Sequence, residues 1–221
     1  MSLSWAWVDP KTGEEAHEDG ERVLPAASTI KLFVASAFWR SSLDPDEQVD
    51  AVRPAGSAGV AEYLSPAARL TLGDLALLML AVSDNAATNV LLDRLGFEAV
   101  NAEVARLGLE RTVVRRPMMT PGPENETCAL DLARGLARVL EEPRIPAALE
   151  LALDSQLRHH LPRDVRVAAK TGELDSVFHE VALLDNGRRR LVTAVCSSDP
   201  PARPDAVSAQ GVAIWQMLNK R

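Results

Sequence analysis

Residues 164–198 read DVRVAAKTGELDSVFHEVALLDNGRRRLVTAVCSS. Three apolar runs occur here, DVRVAAKTG, VFHEVALL and RLVTAVCSS, and the last two are joined by Asp185-Asn186-Gly187. Short runs rich in Val, Leu and Ala, closed by Asn-Gly chemistry, predict antiparallel strands joined by a tight turn rather than one helix. The rest of the chain must therefore supply whatever pairs with these strands and covers them.

Upstream the apolar spacing is helical. LALLMLAVS (residues 75–83) follows Thr71-Leu72-Gly73-Asp74, a capping-box pattern. SDN (83–85) interrupts the pattern before AATNVLLDRLG, where Gly96 predicts a helix end. Further helices are predicted over 97–107, 129–140, 147–158 and 205–219, and RRPMMTPGPENET (115–127) is a loop of breakers. Residues 46–68, rich in Pro, Gly and Ser, read as an excursion. At the start, LSWAWVDP alternates, DPKTGEE turns and ERVLPA runs extended, which predicts a hairpin. STIKLFVASAFWRSSL then begins a helix with Ser28 at its cap. Strands at both ends with helices between them predict an α+β fold, one antiparallel sheet built from the N- and C-terminal segments with flanking helices and an inserted helical lobe.

Composition narrows the partners. A chain of 221 residues, 47% hydrophobic, can bury one good core. A net charge of −7 argues against nucleic acid, whose binders cluster cations against phosphates. The longest apolar stretch is too short to span a bilayer. No signal peptide opens the sequence, which predicts a cytoplasmic protein, with a secreted mature form as the alternative. Cys128 and Cys196 lack metal spacing and read as buried small hydrophobes. His159 and His160 are adjacent and make a poor metal pair, so no metal or cofactor is expected. His179 either lines a cleft or packs as a structural residue, and Trp5, Trp7, Trp39 and Trp215 are expected to pack the sheet against the terminal helices.

The basic residues are sharply divided. Of 24, only four are lysines, at positions 11, 31, 170 and 220. Lysine can lose its proton when buried or placed near another cation, whereas arginine stays charged, so a site needing a neutral amine must use Lys. Ser28 and Lys31, three apart, share a helix face. Ser83-Asp84-Asn85 offers a hydroxyl and an amide from an interhelical loop. Lys170-Thr171-Gly172 ends a predicted strand, and the same tripeptide at 11–13 lies in the first turn. A similar triplet, Ser198-Asp199-Pro200, lacks the amide. Taken singly, each motif is a cap or a turn. Together they fall in order on a helix start, an interhelical loop and a strand.

The ordered set Ser-x-x-Lys, Ser-Asp-Asn, Lys-Thr-Gly resembles that of class A β-lactamases and penicillin-binding proteins. NETCALDLARGL and LPRDVRVAAKTG also look like that family's helix entry and its approach to the third motif. The resemblance implies one domain over 1–221, with an α/β lobe at about 1–45 and 145–221 and a helical lobe at about 46–144. It implies a serine hydrolase forming an acyl-enzyme on a small-molecule or peptide amide or ester, as a monomer. Ser28 would be the nucleophile, Lys31 the base and Ser83 the proton relay. The backbone N–H groups of Ser28 and Glu173 would form the oxyanion hole, and Asn85, Lys170, Thr171 and Gly172 would bind substrate. The family's water-activating glutamate has no counterpart: its place falls near Met118, with Glu124 and Glu126 the nearest carboxylates in a shortened loop. Glu173 would repel a β-lactam carboxylate if its side chain faces the cleft. Rapid β-lactam turnover is therefore not expected, and a non-catalytic or acyl-trapping ligand-binding module is the alternative.

Overall fold

The computed structural model describes residues 2–49, 59–65, 67–198 and 203–219. Strands β7 (Arg166–Leu174), β8 (Val177–Asp185) and β9 (Arg190–Ser198) form the expected meander. Gly187, at φ 78°, takes the left-handed position in the β8–β9 turn. Strands β1 (Ser2–Val8) and β2 (Glu15–Glu18) complete a five-stranded antiparallel sheet in the order β2-β1-β9-β8-β7. β1 pairs with β9 from Ser2↔Ser198 to Val8↔Val192, so the chain's first and last strands meet in the centre. The mixed α+β fold with a terminal antiparallel sheet is the one predicted.

The two faces follow from strand alternation. Ala6, Val8, Ala168, Val181, Leu183, Val192, Ala194 and Cys196 point into the larger core. That core also holds α1 (Lys31–Arg40), α2 (Leu72–Ala81), α3 (Asn85–Leu95), α4 (Phe97–Arg106) and α5 (Ala129–Val139). Trp7, Val167, Ala169, Ala182, Leu184, Leu191 and Val195 face the other way, toward a short helix at Leu157–His160 and the last helix, Pro204–Asn219. Helix α5 packs directly on β1, β8 and β9, although the sequence reading groups it with the helical lobe.

Several local expectations are met by specific bonds. Thr71 and Asp74 form a reciprocal capping box at α2. Gly96, at φ 77°, closes α3. Cys128 and Cys196 are buried and unpaired, and burial pushes the Cys128 thiol up to about 12.

Other expectations are changed. Extended residues of ERVLPA do not continue the first hairpin; β3 (Leu24–Pro25) pairs with β6 (Glu126–Thr127) instead. Gln48–Val49 and Leu70–Thr71, β4 and β5, pair across the 46–68 excursion, of which 50–58 and residue 66 lie outside the described residues. Asp199 and Pro200 of the second Ser-Asp triplet also lie outside them. Trp39 lies beneath Arg144, 3.8 Å from the guanidinium carbon, rather than on the sheet.

The helix predicted over 147–158 is broken. It appears as α6 (Arg144–Glu150) and α7 (Leu157–His160) with an irregular turn between them. Glu180 of β8 explains the break. Its buried carboxylate accepts the Ser155 hydroxyl at 2.6 Å and the amides of Gln156 and Leu157 at 3.2 Å. Backbone donors satisfied by that carboxylate are withdrawn from a continuous helix. The last helix of the chain is α8 (Pro204–Asn219).

Candidate active site

Ser28 is held by a tightly pinned entry. Ala26 N donates to Asn125 O at 2.7 Å, and His179 Nε2 lies 2.8 Å from Pro25 O. His179 is fully buried and does this structural work; burial lowers its pKa, favouring the neutral ring. Ala27 follows at φ 47°, a left-handed position that costs a non-glycine residue about 1–2 kcal/mol. A 3-10 turn, Ala27–Ile30, then leads into α1. Ser28 does not cap this helix as the sequence suggested. It sits within the 3-10 turn, and neither that turn nor α1 has a side-chain cap bond. Its neighbour Thr29 ties its own hydroxyl to Ala26 O at 2.6 Å.

Lys31 opens α1 with no exposed surface. Its Nζ lies 2.6 Å from Ser83 O, 3.1 Å from Ser83 Oγ and 2.7 Å from Asn85 Oδ1. Burial, reinforced by the Lys170 charge, pushes its pKa well below the ordinary lysine value, against the opposing pull of Asp84 and Asp154. Ser83 occupies a second strained position, at φ 57°. Asp84 holds it there: buried, it caps α3 by accepting Ala87 N at 2.8 Å and also accepts Ala61 N at 2.8 Å. Thus the aspartate of the triplet is a brace, and the serine and asparagine flanking it reach the lysine.

The third group comes from β7. Lys170 is fully buried, donates to Thr171 O at 3.0 Å and lies 3.9 Å from Asp154 Oδ2. Burial lowers its pKa to about 8, partly offset by Asp154 and Glu180. Gly172 permits the approach of β7 to the Ser28 turn. A Cβ there would lie 3.0 Å from both Ser28 N and Thr29 N and 3.1 Å from Ala26 O, all backbone atoms that cannot rotate away.

Ser28, Ser83, Thr171, Gly172 and Glu173 line one cavity of about 280 Å³, together with Asp154, Gln156, Phe178 and Pro204. Lys31, Asn85 and Lys170 stand behind that lining. Asp154 was missed in the sequence because it falls inside a predicted helix. The Thr171 hydroxyl donates to Asp154 Oδ2, so the turn that breaks the helix delivers a carboxylate to the cavity. Glu180 was a readable signal, a lone acid within an apolar strand buried on both faces; burial raises its pKa to about 7.

No carboxylate of the 115–127 loop lines this cavity. Met118 is clamped by Asn89, its N donating to Oδ1 at 2.7 Å and its O accepting from Nδ2 at 3.1 Å. Glu124 pairs with Arg116 at 2.6 Å and Glu126 with Arg115 at 2.8 Å.

The sequence model of a β-lactamase enzyme family matches residues 2–216. The chain belongs to that family. Its fold agrees with a β-lactamase of Sphaerobacter thermophilus at TM-score 0.89, with 28% identity, covering all of this chain and 92% of that one. Structures of PBP-A match at TM-score 0.88 and 24% identity, covering all of this chain and 91% of theirs, and show the shared fold; one is an acyl-enzyme complex with penicillin G of a mutant PBP-A. In sequence, the β-lactamase BRO-1 of Moraxella catarrhalis is 25% identical over 199 residues, 79% of this chain. The chain spans 63% of the length of that curated relative. The family match and these likenesses establish the β-lactamase-like fold, and among the described residues no helix is long and apolar enough to cross a membrane.

Proposed function

We propose that the chain is a serine hydrolase that cleaves an amide or ester through an acyl-enzyme on Ser28. The observation that carries this is the buried Lys31 amine, held between Ser83 and Asn85 with its pKa driven down. A neutral amine has two N–H bonds, enough for Ser83 O and Asn85 Oδ1, and a lone pair left to take a proton. Ser28 Oγ attacks the carbonyl carbon while its proton passes to Lys31. Collapse of the tetrahedral intermediate breaks the bond to the leaving group, which receives that proton by way of Ser83. Water then cleaves the Ser28 ester, releasing the acid.

The oxyanion would lie between the N–H groups of Ser28 and Glu173, a reading supported by the backbone proximity that Gly172 allows. Asn85 and Thr171 would orient the substrate, and Lys170, buried behind Thr171, would help keep Lys31 neutral. A second reading, an acyl trap, is favoured by the 115–127 loop, which brings no carboxylate to the cavity to activate water.

Incubation with a fluorescent penicillin and with an activated ester, followed by intact mass over time, separates these readings. A transient adduct with released acid, absent from Ser28→Ala, supports the hydrolase. A persistent Ser28 adduct supports the trap, and labelling that ignores Ser28→Ala refutes both.

A further inference from the structure

We infer that Asp154 is a specificity-determining residue that turns the cavity beside Ser28 into a site for acyl donors bearing a cationic group, and against those bearing a carboxylate. This rests on the reading of Ser28 as the point of attack and names the substrate class of that same site.

Where Thr171, Lys170 and Asp154 meet, the donors are spent and the acceptors open. The Thr171 hydroxyl has a single proton, and it goes to Asp154 Oδ2, so what Thr171 still offers a ligand is a lone pair. Lys170, the nearest fixed cation, exposes no surface; its Nζ is turned to Thr171 O and faces Asp154 at 3.9 Å. Its charge is therefore met by a carboxylate before it reaches the cavity. Asp154 keeps 44% of its side-chain surface exposed while lining the cavity, leaving acceptor capacity for an incoming N–H or ammonium. Glu173, exposed and on the same lining, adds a second acid. Among the described residues no arginine lines the cavity to restore the balance.

Asp154 is also built in rather than incidental. Ser155 and Gln156, the next two residues, are bonded to buried Glu180, which fixes the turn carrying Asp154 against β8. A carboxylate ligand would enter facing two acids, and the lining side chains that could donate to it, Gln156, Ser28 and Ser83, are all neutral. An ammonium would meet two partners of opposite charge, and such complementarity sets selectivity between like-shaped ligands.

The test uses the nitrophenyl esters and the matching unreactive primary amides of three acyl groups of similar shape: trimethylammoniobutanoyl, dimethylhexanoyl with a terminal tert-butyl, and carboxybutanoyl. Ester acylation of the wild-type chain should follow cation over neutral over anion, with about tenfold or more between the ends of the series, equal to about 1.4 kcal/mol. Asp154→Asn should shrink that gap to about threefold or less, and raised salt should shrink it in the wild type. Calorimetric titration of Ser28→Ala with the amides gives the same ranking without any acyl transfer. Tighter binding of the cationic amide there supports the inference even if no ester acylates Ser28, an outcome that would sink only the hydrolase reading. Equal binding of the three amides, a carboxylate preference, or a ranking unchanged in Asp154→Asn overturns it.

Discussion

Lys11-Thr12-Gly13 lies in the turn between β1 and β2; Lys170-Thr171-Gly172 lies near the end of β7. In the first, all three residues are exposed and their bonds are local. Asp9 Oδ1 accepts the amides of Lys11 and Thr12 at 2.8 and 3.1 Å, and Thr12 Oγ1 accepts Glu14 N at 3.2 Å. In the second, all three are buried, and Thr171 and Gly172 meet groups distant in sequence: Asp154 for Thr171, the Ser28 turn for Gly172. Even the glycines serve different ends. Gly13 is needed for its φ of 75°, with open space where a Cβ would go, and Gly172 for the absence of any side chain. Chemistry attaches to the tripeptide through what is folded against it.

The sharpest way to break this contrast is to remove each lysine. Lys170→Ala should slow Ser28 acylation about a hundredfold, because the buried charge that helps hold the Lys31 pKa down is lost and the amine becomes a poorer base. Lys11→Ala should leave the rate within about twofold of wild type. Stopped-flow acylation by a nitrophenyl ester measures both, and similar losses in the two variants would erase the distinction.

The glycines come next. Gly172→Ala should cost about a hundredfold in acylation, since the new methyl pushes β7 from the nucleophile's turn and small misplacements carry such penalties. The same assay on Gly13→Ala should show no change in rate.

Burial of Lys170 also predicts a pH dependence of stability. Between its folded pKa of about 8 and the ordinary 10.5, the unfolded chain holds a proton that the folded chain has released. Stability therefore rises with pH across that window, by up to about 3 kcal/mol, while below it the whole cost of the buried charge remains. Denaturant midpoints of wild type and Lys170→Met, measured at both ends of the window, should show the rise flattened in the variant. Parallel pH curves would contradict the burial of a titrating amine. Smallest is the structural cost of Gly13→Ala, about 1 kcal/mol for an alanine in the left-handed region, read as a lowered denaturant midpoint.

Much of this was legible from residue order. Short apolar runs and Asn-Gly chemistry mark β8 and β9, and their pairing with β1 follows from strands at both ends of a helical chain. The three motifs meet at the cavity, Ser28 from the turn before α1, Ser83 from the turn before α3, and Thr171 and Gly172 from within the edge strand β7. Asp154 was hidden because helical spacing runs through it, and only Glu180, reaching across from β8, stops the helix there. Ser28 looked like a cap because hydroxyls at helix starts usually are caps. The left-handed Ala27, a conformation that no local pattern announces, moves it inside the 3-10 turn and leaves the helix start without a side-chain cap.

An acyl donor has two kinds of nucleophile to find, Ser28 in its cavity and the exposed amines of the surface. Trypsin releases Ser28 in the peptide Val23–Lys31, apart from exposed Lys11, which an activated ester could label without any site. Peptide mapping after a brief pulse of nitrophenyl ester should place the dominant adduct on Ser28, abolished in Ser28→Ala and strongly reduced in Lys170→Ala. An adduct confined to Lys11 or other surface residues, and unchanged in both variants, would contradict the account.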